Sequence, residues 1–213
     1  MPGTVVSVNV GRPAPLPQGK RTVTSAIRKA PVLGPVAVRG VNVDGDEQAD
    51  RVNHGGPEQA VYAYAQEDTA WWEAELGRAL GPGTFGENLT LAGVDVSGAR
   101  IGERWRIGTV ELQVAGPRTP CMKLAARMGD LRFVKRFTEA LRPGAYLAIA
   151  GEGELEAGDA VEIVHRPAHD VTPALVMEIA LLAPERAAEL EPARPDFLPK
   201  VATWVAGRTL SRG

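Results

Sequence analysis

The sequence predicts an α+β fold, mainly β: a closed or partly closed β-barrel with two inserted helices and a small helical extension at the C-terminus. Two observations lead there. The 24 glycines and 17 prolines of this 213-residue chain fall between short Val-rich runs rather than in one linker, which is the punctuation of many short strands. After His165-Arg166-Pro167 the texture changes to helix formers. Residues 1–166 are therefore expected to form the barrel domain and residues 167–213 the extension. A chain of this length has room for one full domain plus an appendage.

Each element has its own signal. Val5 to Val10, Thr22 to Lys29, Val36 to Val43 and Gln59 to Ala65 read as the first strands, the second alternating through Val23, Ser25 and Ile27. Gln66 to Leu80 reads as a helix: Glu67 and Asp68 sit at the positive end of its dipole, Trp72, Leu76 and Leu80 recur every four residues, and Gly81 stops it. Trp105 and Ile107, then Val110, Leu112 and Val114, alternate on either side of Gly108-Thr109, the pattern of a two-residue hairpin. Leu131 to Leu141 repeats Phe133, Phe137 and Leu141 as a second helix. Tyr146 to Ala150 and Ala160 to Val164 supply two more strands.

In the extension, Thr172 caps a helix that has Pro173 at its first position, and Leu175, Ile179 and Leu182 form its apolar stripe. Pro184 or Glu185 to Leu190 is a second short helix and Leu198 to Leu210 a third. Helices this short cannot close a core alone. The stripe must be covered either by the barrel or by a second copy, and a homodimer through the tail is one expected arrangement.

Composition excludes several function classes. Lys plus Arg is 24 and Asp plus Glu is 26, a net charge of −2 without long like-charged blocks, which argues against nucleic acid or an anionic membrane as the main partner. No apolar stretch approaches the ~20 residues of a bilayer span. The first residues lack a basic region followed by a long apolar one, so a cytoplasmic protein is expected. One cysteine, Cys121, excludes an internal disulfide.

Four polar clusters lie in Gly/Pro-rich turns at strand ends, where a scaffold exposes side chains. Gly116-Pro117-Arg118-Thr119-Pro120-Cys121-Met122-Lys123 places a thiol between two basic residues, which favour the thiolate, both a nucleophile and a soft metal ligand. In Asn53-His54-Gly55-Gly56-Pro57-Glu58-Gln59 the paired glycines allow close backbone approach to an anion, and His54 donates or titrates near neutrality. A tight turn with a surface histidine explains the same residues. Phe85-Gly86-Glu87-Asn88-Leu89-Thr90 offers Glu87 and Asn88 to a polar heterocycle or to a turn. Thr22 to Pro31 sets Thr22, Ser25, Arg28 and Lys29 toward a phosphate or, as a solvated strand face, toward solvent. The acidic loop Gly45 to Asp50 lacks the ligand spacing of a calcium site and reads as a solvated turn. No GxGxxG, GxxxxGK[ST], CxxC or HExxH is present. Trp71, Trp72 and Trp105 read as core.

Taken in order, GDEQAD (Gly45 to Asp50), HGGPEQAVYAY (His54 to Tyr64), FGENLT (Phe85 to Thr90) and PRTPC (Pro117 to Cys121) resemble the MOSC domain family, in particular its YiiM-like bacterial branch. TSAIRKAPV, GDAVEIVHRP and the helical extension belong to the same resemblance, which spans essentially the whole chain. It implies a MOSC-type β-barrel that binds the molybdenum cofactor (molybdopterin). Cys121 would be the protein sulfur on the metal and the catalytic ligand. Ser25, Lys29, His54, Gly55, Gly56, Asn88, Arg118 and Thr119 would hold the cofactor's phosphate and pterin. The implied activity is reduction of small N-hydroxylated compounds, such as hydroxylaminopurine, by oxygen removal. The chain has no flavin or iron–sulfur motif, so an external flavoprotein would supply electrons. Two other readings remain open on the residues: a hydrolase or transferase with Cys121 as nucleophile and His54 as its base, and a non-catalytic carrier of cofactor or sulfur.

Overall fold

The computed structural model describes residues 3–49 and 55–209. Its first strands are β1 (Gly3–Val10), the hairpin β2 (Ala14–Gln18) and β3 (Arg21–Ser25), then β4 (Ala30–Val32), β5 (Val36–Arg39) and β6 (Asn42–Val43). A 3₁₀ turn, Pro57–Gln59, leads into β7 (Val61–Ala65), helix α1 (Gln66–Leu76) and β8 (Leu89–Ala92). Strands β9 (Arg104–Ile107) and β10 (Val110–Gly116) precede helices α2 (Met122–Met128) and α3 (Phe133–Ala140). Strands β11 (Ala145–Gly151), β12 (Gly153–Leu155) and β13 (Ala160–His165) follow, then α4 (Pro173–Leu181), a 3₁₀ segment Pro184–Asp196, and α5 (Pro199–Thr209).

Seven strands close a mixed barrel in the order β1-β13-β9-β10-β11-β7-β8 and back to β1. Closure leaves no long edge to template aggregation. The β7–β8 pair is parallel and the other pairs are antiparallel. A parallel pair needs a crossover, and α1 is part of it. Strand β1 divides its edge: Gly3 and Thr4 pair with β13, whereas Val8 to Val10 pair with β4.

Two apolar clusters are built from the two faces of β7. Val61, Ala63 and Ala65 point into the barrel with Leu89, Trp105 and Leu112. Tyr62 and Tyr64 point the other way, into a cluster with Trp72, Phe85, Phe133 and Phe137 beneath α1 and α3. Both faces of the strand are thus buried, which is why it reads as a continuous apolar run. Each buried hydroxyl or indole there has a partner. Tyr62 donates to the Pro143 carbonyl at 2.9 Å, Tyr64 to that of Arg142 at 3.0 Å, and Trp72 Nε1 to the Tyr64 hydroxyl at 2.9 Å. Phe137→Ala is expected to cost about 3–5 kcal/mol, read as a lower denaturant midpoint with unchanged slope; a loss under about 1 kcal/mol would show that this cluster contributes little.

The hairpin about Gly108-Thr109 forms in the expected register, Leu112 facing Trp105, with Gly108 at φ +57°. Other elements are cut shorter than expected. Thr22 to Lys29 stops as a strand at Ser25, whose Oγ accepts from the Ile27 amide at 3.3 Å and turns the chain. Val36 to Val43 is two strands, because Gly40 takes φ +62° and folds β6 back on β5. Helix α1 ends at Leu76, where Gly77 adopts the left-handed C-cap. The two prolines of β2 are tolerated because that strand pairs on one side only, with β3. The 3₁₀ segment runs to Asp196, past the expected Leu190, with Pro192 and Pro195 inside it.

The extension shares the barrel's core. Thr172 caps α4, accepting from the Leu175 amide at 3.1 Å. Val176, Ile179, Leu190, Ala193 and Val205 are buried in the same cluster as the barrel interior, and Leu175, Phe197 and Trp204 pack against it. Leu182 is half exposed. The stripe that suggested a homodimer is therefore largely covered by the barrel itself. Among the described residues, no helix is long and apolar enough to cross a membrane.

Candidate functional site

A cleft of about 670 Å³, counting its open part, lies where the segment after β3, the acidic loop, β7 and the Arg118–Lys123 segment meet. Of the residues singled out in the sequence, Ser25, Lys29, Asn88, Arg118 and Cys121 line it together. They come from segments up to 96 residues apart, counting from 25 to 121, and only the fold joins them. Gly55 and Gly56 flank it without lining it, Thr119 is exposed at the surface, and His54 lies outside the described residues.

The lining divides into groups already committed and groups left available. Asp46 is buried and central to the first set: it accepts from Lys29 Nζ, from the Gly11 amide at 2.7 Å and from Asn88 Nδ2 at 3.0 Å. Asn88 also accepts the Tyr62 amide at 3.1 Å and donates to the Asn9 carbonyl at 3.2 Å. Burial lowers the Lys29 pKa, opposed by its contact with Asp46. Lys29 and Asn88 thus knit the wall of the cleft. The acidic loop is correspondingly not a solvated turn throughout. Asp46 is 6% exposed, which no signal short of a buried partner such as Lys29 could have revealed. Glu87 likewise caps its own turn, accepting from the amides of Gly83 at 2.6 Å and Phe85 at 2.9 Å, while burial raises its pKa.

Arg118 belongs to the other set. It is 5% exposed, and its Nη1 is buried without a hydrogen-bond partner. Its guanidinium lies 5.7 Å from the Tyr62 ring centroid and 5.6 Å from that of Phe137, within cation–π range. Burial disfavours its charge, but Cys121, Tyr62, Tyr146 and Tyr64 around it favour the charge, and the balance raises its pKa. Burial also raises the pKa of Tyr62 and Tyr146, against the pull of Arg118. Both phenols stay protonated near neutrality. A buried cation with an unfilled donor is costly unless an anionic or carbonyl group completes it.

Cys121 opens α2 in extended conformation, its backbone carbonyl accepting from the amides of Leu124 and Ala125. Pro117 and Pro120 stiffen the approach to it. One thiol, a buried arginine with a donor to give and Lys123 line the same cleft. Among the described residues, no three His, Cys, Asp or Glu side chains are grouped to hold a metal ion. The donor set therefore fits a metal that arrives with ligands of its own and takes a single sulfur from the protein. Sequence reasoning missed Gln48, Gln59 and Tyr146 as lining residues. Gln48 and Gln59 lie inside the GDEQAD and HGGPEQAVYAY motifs with no role legible there, Tyr146 is a strand residue, and only packing turns them inward.

The comparisons with known proteins agree with this architecture. The MOSC domain family matches residues 50–162. Protein YiiM of Escherichia coli (strain K12) is 32% identical over 182 residues, covering 84% of this chain and 78% of that protein. A protein named Reductase from Gibberella moniliformis is 34% identical over 170 residues, which span 78% of this chain but 30% of that protein's length. The crystal structure of YiiM from Geobacillus stearothermophilus superposes with a TM-score of 0.79 at 30% identity, covering 98% of this chain and all of that one. With more than half of its residues matched and its barrel superposed end to end, the chain belongs to the MOSC domain family.

Proposed function

We propose that the cleft binds the molybdenum cofactor and that the protein reduces small N-hydroxylated compounds to the corresponding amines. The observation that carries this reading is the pairing, in one cleft, of the Cys121 thiol with the buried, unsatisfied Arg118 donor. The likeness to a protein named Reductase supports the reaction class. When bound, the cofactor supplies oxygen-atom abstraction and a two-electron store, so that R–NHOH plus two electrons and two protons gives R–NH₂ and water. Electrons come from an external flavoprotein.

The chain's own residues bind and orient. Cys121 offers the thiolate, a soft donor suited to molybdenum. Arg118 donates from Nη1 to the anionic or carbonyl edge of the ligand, a charge-assisted hydrogen bond in a low-dielectric cleft. Ser25, whose Oγ accepts from the Ile27 amide, retains its hydroxyl hydrogen for the ligand. Lys29 and Asn88 hold the wall through Asp46. The rings of Tyr62 and Phe137 lie against the Arg118 guanidinium, and burial keeps the Tyr62 and Tyr146 phenols protonated beside it.

Protein purified from a host that makes molybdopterin is expected to contain molybdenum and to release an oxidisable pterin on denaturation, near one of each per chain. Folded protein from such a host with neither metal nor pterin would overturn the reading. Loaded protein that turns over no N-hydroxylated compound with any chemical reductant would leave a carrier, not an enzyme.

A further inference from the structure

We propose that the first turn of the C-terminal helix α5 is a positioning element of the cleft, acting through Lys200 and Val201. The extension is then part of the binding apparatus rather than an appended tail. Lys200 Nζ donates to the Gly55 carbonyl and to Gln59 Oε1, both at 2.8 Å. In return, the Glu58 carboxylate accepts from the backbone amides of Lys200, at 2.9 Å, and Val201, at 3.3 Å. An α-helix leaves its first amides without intrahelical partners, and a carboxylate there also meets the positive end of the dipole. Glu58 answers both needs from 142 positions away in the sequence.

The segment so held reaches the cleft at its Gln59 end. Gln59 lines it, and so does Gln48, which donates to the Gln59 carbonyl at 3.3 Å and accepts from the Gly56 amide at 3.0 Å. The same turn of α5 also meets the end of β10, which leads to Arg118 and Cys121. Val201 packs so closely on Gly116 that a Cβ at that position would lie 2.8 Å from Val201 Cγ2. Gly116 opens the Gly116-Pro117-Arg118 run to Cys121, in which two prolines transmit a displacement rather than absorb it. One helical turn thus sets the spacing between the segment that ends at Gln59 and the segment that carries Arg118 and Cys121.

The test uses the full-length chain with Lys200→Met, which keeps the bulk of the stem and removes the donors. Val176→Ala in α4, buried in the core and taking no part in the Glu58, Lys200 and Gly116 contacts, serves as a control chosen for a similar loss of melting temperature. Lys200→Met is expected to speed deuterium uptake about tenfold at the amides of Gly55, Gly56, Glu58, Gln59 and Ala60 and also at those of Gly116, Arg118, Thr119 and Cys121, and to lower the pterin retained through gel filtration by a similar factor. Val176→Ala should do neither. Unchanged exchange at 116–121 in Lys200→Met overturns the proposal, as does equal loosening in the control, since either leaves Lys200 a local structural contact. The pterin readout rests on the cofactor reading above and the exchange readout does not. Wild-type protein with no pterin overturns only the former, and the exchange comparison then decides.

Discussion

Cys121→Ser is expected to abolish reduction of N-hydroxylated compounds while leaving the fold intact. The sulfur sits at the start of α2 and is partly exposed, so exchanging it for oxygen removes little packing. The chemical change is large: a serine hydroxyl is hard, and at neutral pH it carries no negative charge to offer a metal. Removing the outer partners of a metal ligand typically costs 10–100-fold, so replacing the protein's own ligand should cost about a hundredfold or more in turnover. Turnover per molybdenum, measured beside circular dichroism and melting temperature, separates chemistry from folding. Substantial turnover by folded, loaded Cys121→Ser protein would remove the thiol from the reaction, and with it the central claim of the proposed function.

Arg118→Met should act in opposite directions on stability and on binding. In the protein without ligand, the guanidinium is buried with one donor unfilled. Cation–π contacts with Tyr62 and Phe137, each worth about 1 kcal/mol, offset only part of a desolvation cost of several kcal/mol. A methionine of comparable length fills the space between the rings without that cost. Ligand-free Arg118→Met is therefore expected to be as stable as wild type or more stable by about 1–3 kcal/mol. Retention of an anionic or carbonyl-bearing ligand should fall about 10–100-fold, the loss of one charge-assisted hydrogen bond. Urea midpoints of ligand-free protein, set against pterin content after purification, read the two effects separately. Destabilisation of about 3 kcal/mol or more would show that Arg118 is a structural cation and that its open donor has no bearing on binding. The trade of stability for a prepared donor is what a binding site, rather than a core, requires.

The barrel class, the β9–β10 hairpin, the Thr172 cap and the place of the cysteine were all determined by the sequence alone. Each rests on local physics: Gly108 at a two-residue turn, a hydroxyl one residue before Pro173, alternation of Trp105, Ile107 and Leu112. Chain order was also enough to bring forward the Gly45–Asp50, His54–Tyr64, Phe85–Thr90 and Pro117–Cys121 motifs. What those motifs do in the cleft was decided by tertiary structure, because a polar side chain's role depends on which partner reaches it first. Lys29 and Asn88 look in the sequence like groups free to meet a ligand. Asp46 claims both, and its burial could not be read from an acidic loop. Arg118 looks in the sequence like other basic residues of the chain, yet among the described residues it alone lies buried between two aromatic rings with an unfilled donor in the cleft. Lys200 and Glu58 are unremarkable at their own positions, and a separation of 142 residues hides their contact from any local pattern. Short-range backbone preferences act within a few residues and are written in the order of the chain, whereas desolvation and hydrogen-bond completion act across segments that only the closed barrel brings together.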